Sequence, residues 1–190
     1  HNSIHDCPRA GINISEGAWG GHIIEYNDVF NTVLETSDHG SFNSWGRDRF
    51  WMVANKKTEE RVEANRSIIM LDFLAPTIIR NNRMRCDHGW DIDLDDGSSN
   101  YEIYNNLCLA GGIKLREGYY RKVYNNIIVD WTFCPHVWYP DCHSSFMRNI
   151  IGQERYRPAG MEKTDQGERI DYNLVHRPEA DSQPAKHLQA

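Results

Sequence analysis

Acidic side chains crowd one short stretch of this chain and recur at the matching place one repeat later. Asp91, Asp93, Asp95 and Asp96 lie together, and Glu117 follows Lys114 and Arg116. A retaining glycosidase needs two carboxyl groups about 5 to 5.5 Å apart, one to attack the anomeric carbon and one to protonate the leaving oxygen. Crowding several acids raises the pKa of one of them, so Glu117 is expected to hold a proton while an aspartate beside Arg116 stays ionised. The nucleophile is then Asp95, Asp93 or Asp96: outward strand parity favours the first two, turn alignment with Glu117 the third. Aromatic faces at Trp45, Trp51 and Trp138 suit stacking on a sugar ring. His39, His88, His136, Arg47 with its neighbour Asp48, and Arg116 suit hydrogen bonds to its hydroxyls.

The same residues admit other chemistry. Asp91 to Glu102 imitates a calcium loop with acids at positions 1, 3, 5 and 12, but Gly97 falls one place late and Ile92 and Leu94 alternate as strand residues. A calcium-assisted polysaccharide lyase would use Lys114 or Arg116 as its base. An anionic substrate, however, wants a basic cleft, and this strip holds only two cations. A purely carbohydrate-binding shaft would need no paired acids at all. Cys134, His136, Cys142 and His143 are potential zinc ligands at a spacing foreign to zinc fingers. The favoured reading requires neither metal nor organic cofactor.

What must position these groups is a repeat. Asparagines end short segments at Asn82, Asn106, Asn126, Asn149 and Asn173, in steps of 24, 20, 23 and 24 residues, and Asn2 and Asn27 extend the series by a step of 25. Periods of this size signal a solenoid. The intervening segments Ile12-Asn13-Ile14, Ile92-Asp93-Leu94 and Ile113-Lys114-Leu115 alternate with period two and read as strands. The expected fold is therefore all-β, a right-handed parallel β-helix with coils of roughly 20 to 25 residues. Stacked asparagines would satisfy turn backbone that no strand reaches.

An offset of 21 sets Ile92 beside Ile113 and Leu94 beside Leu115 inside, and Asp93 by Lys114, Asp95 by Arg116 and Asp96 by Glu117 outside. Asn27 and Asn82 stand 55 positions apart, a gap read as more than two coils with an inserted loop near 44–63. Residues 1–175 form the expected partial β-helix domain. Residues 176–190 are a polar extension that reads as cut short, and the N-terminus opens in mid-repeat. Cys86 and Cys108 are expected to stack inside adjacent coils.

The 190 residues carry 21 Lys+Arg against 27 Asp+Glu, a net charge of −6, with a pI near 5.8 and mean hydropathy −0.68. That balance argues against nucleic-acid and anionic-membrane partners, which require surplus positive charge. The longest apolar stretch, residues 67–79, contains Asp72 and Pro76 and falls short of the ~20 residues that span a bilayer. Five cysteines with no CxxC pair fit isolated thiols and a reducing, cytoplasmic compartment. The expected partner is an oligosaccharide or aryl glycoside, with self-association into a homo-oligomer left open.

The runs 38–49 and 90–101, then Lys114-Leu115-Arg116-Glu117-Gly118 and Pro135-His136-Val137-Trp138, resemble the catalytic part of right-handed β-helix glycoside hydrolases. The family 120 β-xylosidases are the nearest in pattern, with the family 141 xylanases and fucosidases as neighbours. The resemblance covers most of residues 1–175. It implies a retaining β-xylosidase with an aspartate nucleophile in the 93–96 segment and Glu117 as acid/base. That family also carries further coils and a β-sandwich domain outside these 190 residues.

Overall fold

The structure, a computed structural model, describes residues 1–15, 19–46, 60, 64–71, 73–138, 142–153 and 169–176. The strands follow a fixed order. In the first circuit the chain forms β1 (Ser3–Cys7), β2 (Ile12–Ile14), β3 (Trp19–Gly20) and β4 (Ile23–Glu25). The second holds β5 (Asp28–Thr32), β6 (Gly40–Ser44), β7 (Phe73–Ala75) and β8 (Thr77–Arg80). The third is β9 (Arg83–Arg85), β10 (Trp90–Leu94) and β11 (Tyr101–Tyr104); the fourth is β12 (Leu107–Cys108), β13 (Ile113–Leu115) and β14 (Arg121–Tyr124). The fifth is β15 (Ile127–Ile128), β16 (Phe133–Pro135) and β17 (Ser145–Met147), followed by β18 (Ile150–Ile151), β19 (Arg169–Asp171) and β20 (Leu174–Val175).

The protein is all-β, and its sheets are parallel and open. One sheet runs β1-β5-β9-β12-β15-β18-β20, the second β2-β6-β10-β13-β16 and the third β4-β8-β11-β14-β17-β19, with β3 and β7 pairing apart. Each of the first five circuits thus contributes one strand to each of these three sheets in turn. Parallel pairing in register stacks like on like. Ile12, Phe42, Ile92, Ile113 and Phe133 form one row, Ile24, Ile79, Ile103, Val123, Phe146 and Ile170 another. Val29, Met84, Cys108, Ile128 and Ile151 make the third. The three rows meet in a single core, where each fully buried large aliphatic side chain contributes about 1.5 to 3 kcal/mol.

The asparagine series is a hydrogen-bonded ladder. Asn27, Asn82, Asn106, Asn126 and Asn149 each donate both backbone N–H and side-chain amide to the Oδ1 of the next asparagine, at 2.9 to 3.0 Å, ending on Asn173. Asn2 joins through its amide at 2.9 Å. Each rung is preceded by a residue in the left-handed region, at Tyr26, Asn81, Asn105, Asn125, Arg148 and Tyr172, with φ of 54 to 56°. The amide chain offsets the roughly 1 to 2 kcal/mol that such a conformation costs a non-glycine residue.

Two sequence expectations are corrected. The 55 residues from Asn27 to Asn82 are one circuit, because these two asparagines bond directly and β4 pairs with β8. The extra length departs between β6 and β7. Its described part includes the 3-10 turn Arg66–Met70, which puts Ile69 into the core. Cys108 stacks on Met84, not on Cys86; Cys86 lies beyond β9 and its thiol donates to Thr32 O at 3.7 Å. Most of the expected loop 44–63 and all of the extension beyond His176 lie outside the described residues.

Candidate active site

The second sheet builds the site. Its outward row runs Asn13, Asn43, Asp93, Lys114, Cys134 in register. Just past the strand ends, Arg116 N donates to Leu94 O and His136 N to Leu115 O, both at 2.8 Å, so the stacking continues through the residues that follow. Lys114 Nζ lies 2.9 Å from Asp93 Oδ1, 3.3 Å from Asp95 Oδ1 and 3.6 Å from Asp38 Oδ1. Arg116 reaches Asp95 and Asp96 through Nη1 at 3.3 and 2.8 Å, and Glu117 Oε2 through Nε at 3.2 Å. All four acids predicted for catalysis therefore gather around two cations.

Glu117 sits in a turn that requires glycine beside it. Gly97 N donates to Glu117 O at 2.8 Å, which locks the turn after β13 onto the turn after β10. A Cβ on Gly118 would lie 2.2 Å from Ser98 O, so only glycine permits that approach. The Glu117 side chain is fully buried, and among the described residues neither of its oxygens accepts a well-formed hydrogen bond. The Arg116 guanidinium lies beside it, with Nε 3.2 Å from Oε2.

These surroundings separate the acids. Burial pushes Glu117 up to about 7, against the pull of Arg116. Burial likewise pushes Asp93 up to about 7, against Lys114. For Asp95 burial acts upward too, but Lys114 and Arg116 together overcome it and hold the carboxyl below the ordinary range. Burial alone would lower Lys114, yet Asp93 and Asp95 raise it. Lys114 therefore stays a cation, lodged among three acid oxygens. His136 is lowered by burial and by Arg116 and Lys114, which keeps its imidazole neutral.

The remaining predicted residues divide. His136 is half-buried beside Arg116, and its Nδ1 has no partner among the described residues. His39 Nδ1 donates to Ser37 O at 2.7 Å and its Nε2 accepts from Arg9 Nε at 2.9 Å, so both ring nitrogens are engaged. Trp45 is half-buried with the Arg9 guanidinium 5.8 Å over its ring. His88 is exposed on the turn before β10. Trp138 is a correction: it is fully buried, edge-on to Phe133 at 5.9 Å, and presents no face to a sugar. The tight turn in which His136 N also donates to Cys134 O at 2.9 Å breaks strand alternation and returns the chain to the core. Arg47, Asp48 and Trp51 lie outside the described residues.

Sequence reasoning missed one acid of the cluster. Asp38 enters the cluster from the circuit below, and its oxygen lies within 4.8 Å of those of Asp93 and Asp95. The available signal was the repeated Asp-His-Gly tripeptide, since residues 38–40 and 87–89 are neighbours in space: Gly40 pairs with Trp90, whose N–H donates to His39 O. Asp91 is no calcium ligand. Its carboxylate accepts the backbone N–H groups of Cys86, Ala110 and Gly112 at 2.7 to 3.1 Å and braces the corner between the first and second sheets. Glu102, the other end of the imitated loop, faces Lys122 on the third sheet instead. Among the described residues Cys134, His136, Cys142 and His143 form no metal-ligating group.

The chain matches no family model, no curated protein and no solved structure.

Proposed function

We propose that this protein is a retaining glycoside hydrolase on a right-handed parallel β-helix, acting on β-linked xylose units of plant-type oligosaccharides. The observation that carries the reading is the pair Asp95 and Glu117, set on either side of Arg116, with the Asp95 carboxyl held below its ordinary range and the Glu117 carboxyl pushed above it. Circuits that visit three parallel sheets in fixed order, joined by an asparagine ladder, support the β-helix. The choice of xylose comes from the resemblance of the 90–101 and 114–118 runs to β-xylosidases.

In this mechanism the ionised Asp95 attacks the anomeric carbon and forms an ester. Glu117 gives its proton to the departing glycosidic oxygen, and the C–O bond to the leaving group breaks. Glu117, now a carboxylate, takes a proton from the incoming water, which attacks the same carbon and releases both the sugar with retained configuration and the Asp95 carboxylate. Arg116 keeps Asp95 ionised in the resting state and steadies Glu117 when it has lost its proton. Asp96, held by Arg116, and His136, whose imidazole is neutral, would hydrogen-bond sugar hydroxyls.

The lyase reading is weaker on one specific observation. Its base would be Lys114 or Arg116 in unprotonated form, whereas Asp93 and Asp95 keep Lys114 charged, Glu117, Asp95 and Asp96 keep Arg116 charged, and the Lys114 ammonium fills the space a calcium ion would take. Nothing specific favours a non-catalytic shaft.

The test is a release assay on a panel of aryl glycosides with wild type and Glu117→Ala, with and without azide. Hydrolysis of the β-xyloside, and rescue of the variant as a β-glycosyl azide, is the expected result. A slow fluorinated xyloside that traps the ester should label Asp95; labelling of Asp96 would move the nucleophile by one residue. An unsaturated product, or no turnover of any glycoside, would overturn the reading.

A further inference from the structure

Beside the acid cluster, at the corner where the chain passes from the first sheet to the second, lies a cleft of about 630 Å³ that the mechanism does not use. Its walls include two indoles, Trp90 and Trp131, and between them Ala110; Asp38, His88 and Asp130 supply polar groups. Such a volume falls in the range of small-molecule sites. Trp131 is exposed, and Trp90 is half-buried.

The repeat explains the slot. Trp90 belongs to the third circuit, Ala110 to the fourth and Trp131 leads into the fifth, so the two indoles spring from backbone roughly 10 Å apart, twice the spacing of neighbouring strands. The circuit between them carries only Ala110, Gly111 and Gly112, which leaves the gap open. Gly112 is required there: its φ is +67°, and a Cβ would come 2.9 Å from Trp131 Cδ1. The indole thus rests against a backbone stripped of side chains. The cleft also touches the acid cluster, because Asp38 lines it and lies 3.6 Å from Lys114 Nζ, while the Trp90 ring centroid is 5.8 Å from that same nitrogen.

Aromatic faces bind the C–H side of a pyranose ring, and carboxyl and imidazole groups take up its hydroxyls. Aspartates lining the slot make it unfavourable to anionic rings, because a uronate would bring like charge against them. We propose that this slot is a binding subsite for a second, uncharged sugar unit of the substrate chain, walled by Trp90 and Trp131. The proposal rests on the reading of the chain as carbohydrate-active, and it narrows the substrate to neutral oligosaccharides longer than one unit.

The test is calorimetric titration of a xylose tetramer and a galacturonate tetramer into the full chain carrying Glu117→Gln, so that turnover does not obscure binding. The same titration is made with Trp131→Ala, Trp131→Phe or Ala110→Phe added. Expected is binding of the xylose tetramer alone, weakened about tenfold by Trp131→Ala or by filling the slot with Ala110→Phe, and largely restored by Trp131→Phe. Trp131 is exposed, so its truncation leaves the core intact, and a thermal melt verifies this. Undiminished binding in both Trp131→Ala and Ala110→Phe, equal binding of the galacturonate, or no binding of the xylose tetramer overturns the proposal. Binding that follows this pattern in a protein that hydrolyses no glycoside overturns the enzymatic reading and leaves the subsite standing. Aryl-xyloside hydrolysis by wild type without slot binding does the reverse.

Discussion

Replacing Glu117 by glutamine should change how stability depends on pH, whatever the protein acts on. Glutamine has the shape of the protonated acid and cannot ionise. In the folded protein burial raises the Glu117 carboxyl from 4.5 to about 7. The folded state therefore holds a proton that the unfolded chain gives up between those two values. The stabilisation is present in full below pH 4.5, declines as the pH rises, and is gone once the folded-state carboxyl has also ionised, a little above pH 7. At 1.36 kcal/mol for each unit, the wild type should lose about 3 kcal/mol over this window relative to Glu117→Gln. Urea unfolding followed by tryptophan fluorescence at pH 4.5, 6 and 8 measures it for both proteins, and the difference between the two curves isolates Glu117 from the other titrating groups. The variant should be the more stable at pH 8. Parallel curves would refute the argument, since they would mean that Glu117 is hydrated or paired well enough to ionise normally.

Other outcomes follow from the same geometry. If Glu117 is the proton donor, kcat/KM should hold steady below pH 7 and fall about tenfold per unit above it, as the raised carboxyl ionises. Arg116→Met should move that fall to higher pH, because Arg116 holds Glu117 down; a basic limb that does not move would remove Arg116 from this role. Asn106→Ala strips an acceptor from the Asn82 N–H and a donor from Ile79 O, both deep in the ladder, and should cost about 2 to 5 kcal/mol in urea unfolding. A cost below about 1 kcal/mol would show that the ladder is not a principal support. Lys114→Ala empties the space among Asp38, Asp93 and Asp95; the variant should gain a calcium-dependent rise in Tm that wild type lacks. A wild-type Tm that rises with calcium would instead favour a metal at this site.

Strand register was legible from the third circuit onward because similar spacing recurs from one circuit to the next. The offset that puts Ile92 on Ile113 and Leu94 on Leu115 is the one the sheet adopts, and it carries Asp93 to Lys114 and Asp95 to Arg116. The asparagine steps likewise mark real rungs. By contrast, parity says which way a side chain points and not whether water reaches it: Asp93 and Lys114 point outward and are still buried. Trp138 fails for a related reason, because the turn at His136 ends the alternation on which an outward assignment rests.

The sequence alone determined the rows, since a row in a parallel stack is a property of a local repeat: period-two alternation selects the inward residue, and the asparagine marks where each circuit turns. Only the tertiary structure decided that Asn27 bonds straight to Asn82 across 55 residues, because chain length between two rungs does not count the circuits within it. It alone brought Asp38 to Lys114 and paired Gly40 with Trp90 across 50 positions. It also set the opposite directions in which the Asp95 and Glu117 carboxyls are shifted, which depend on how completely each is removed from water and on how near the cations approach.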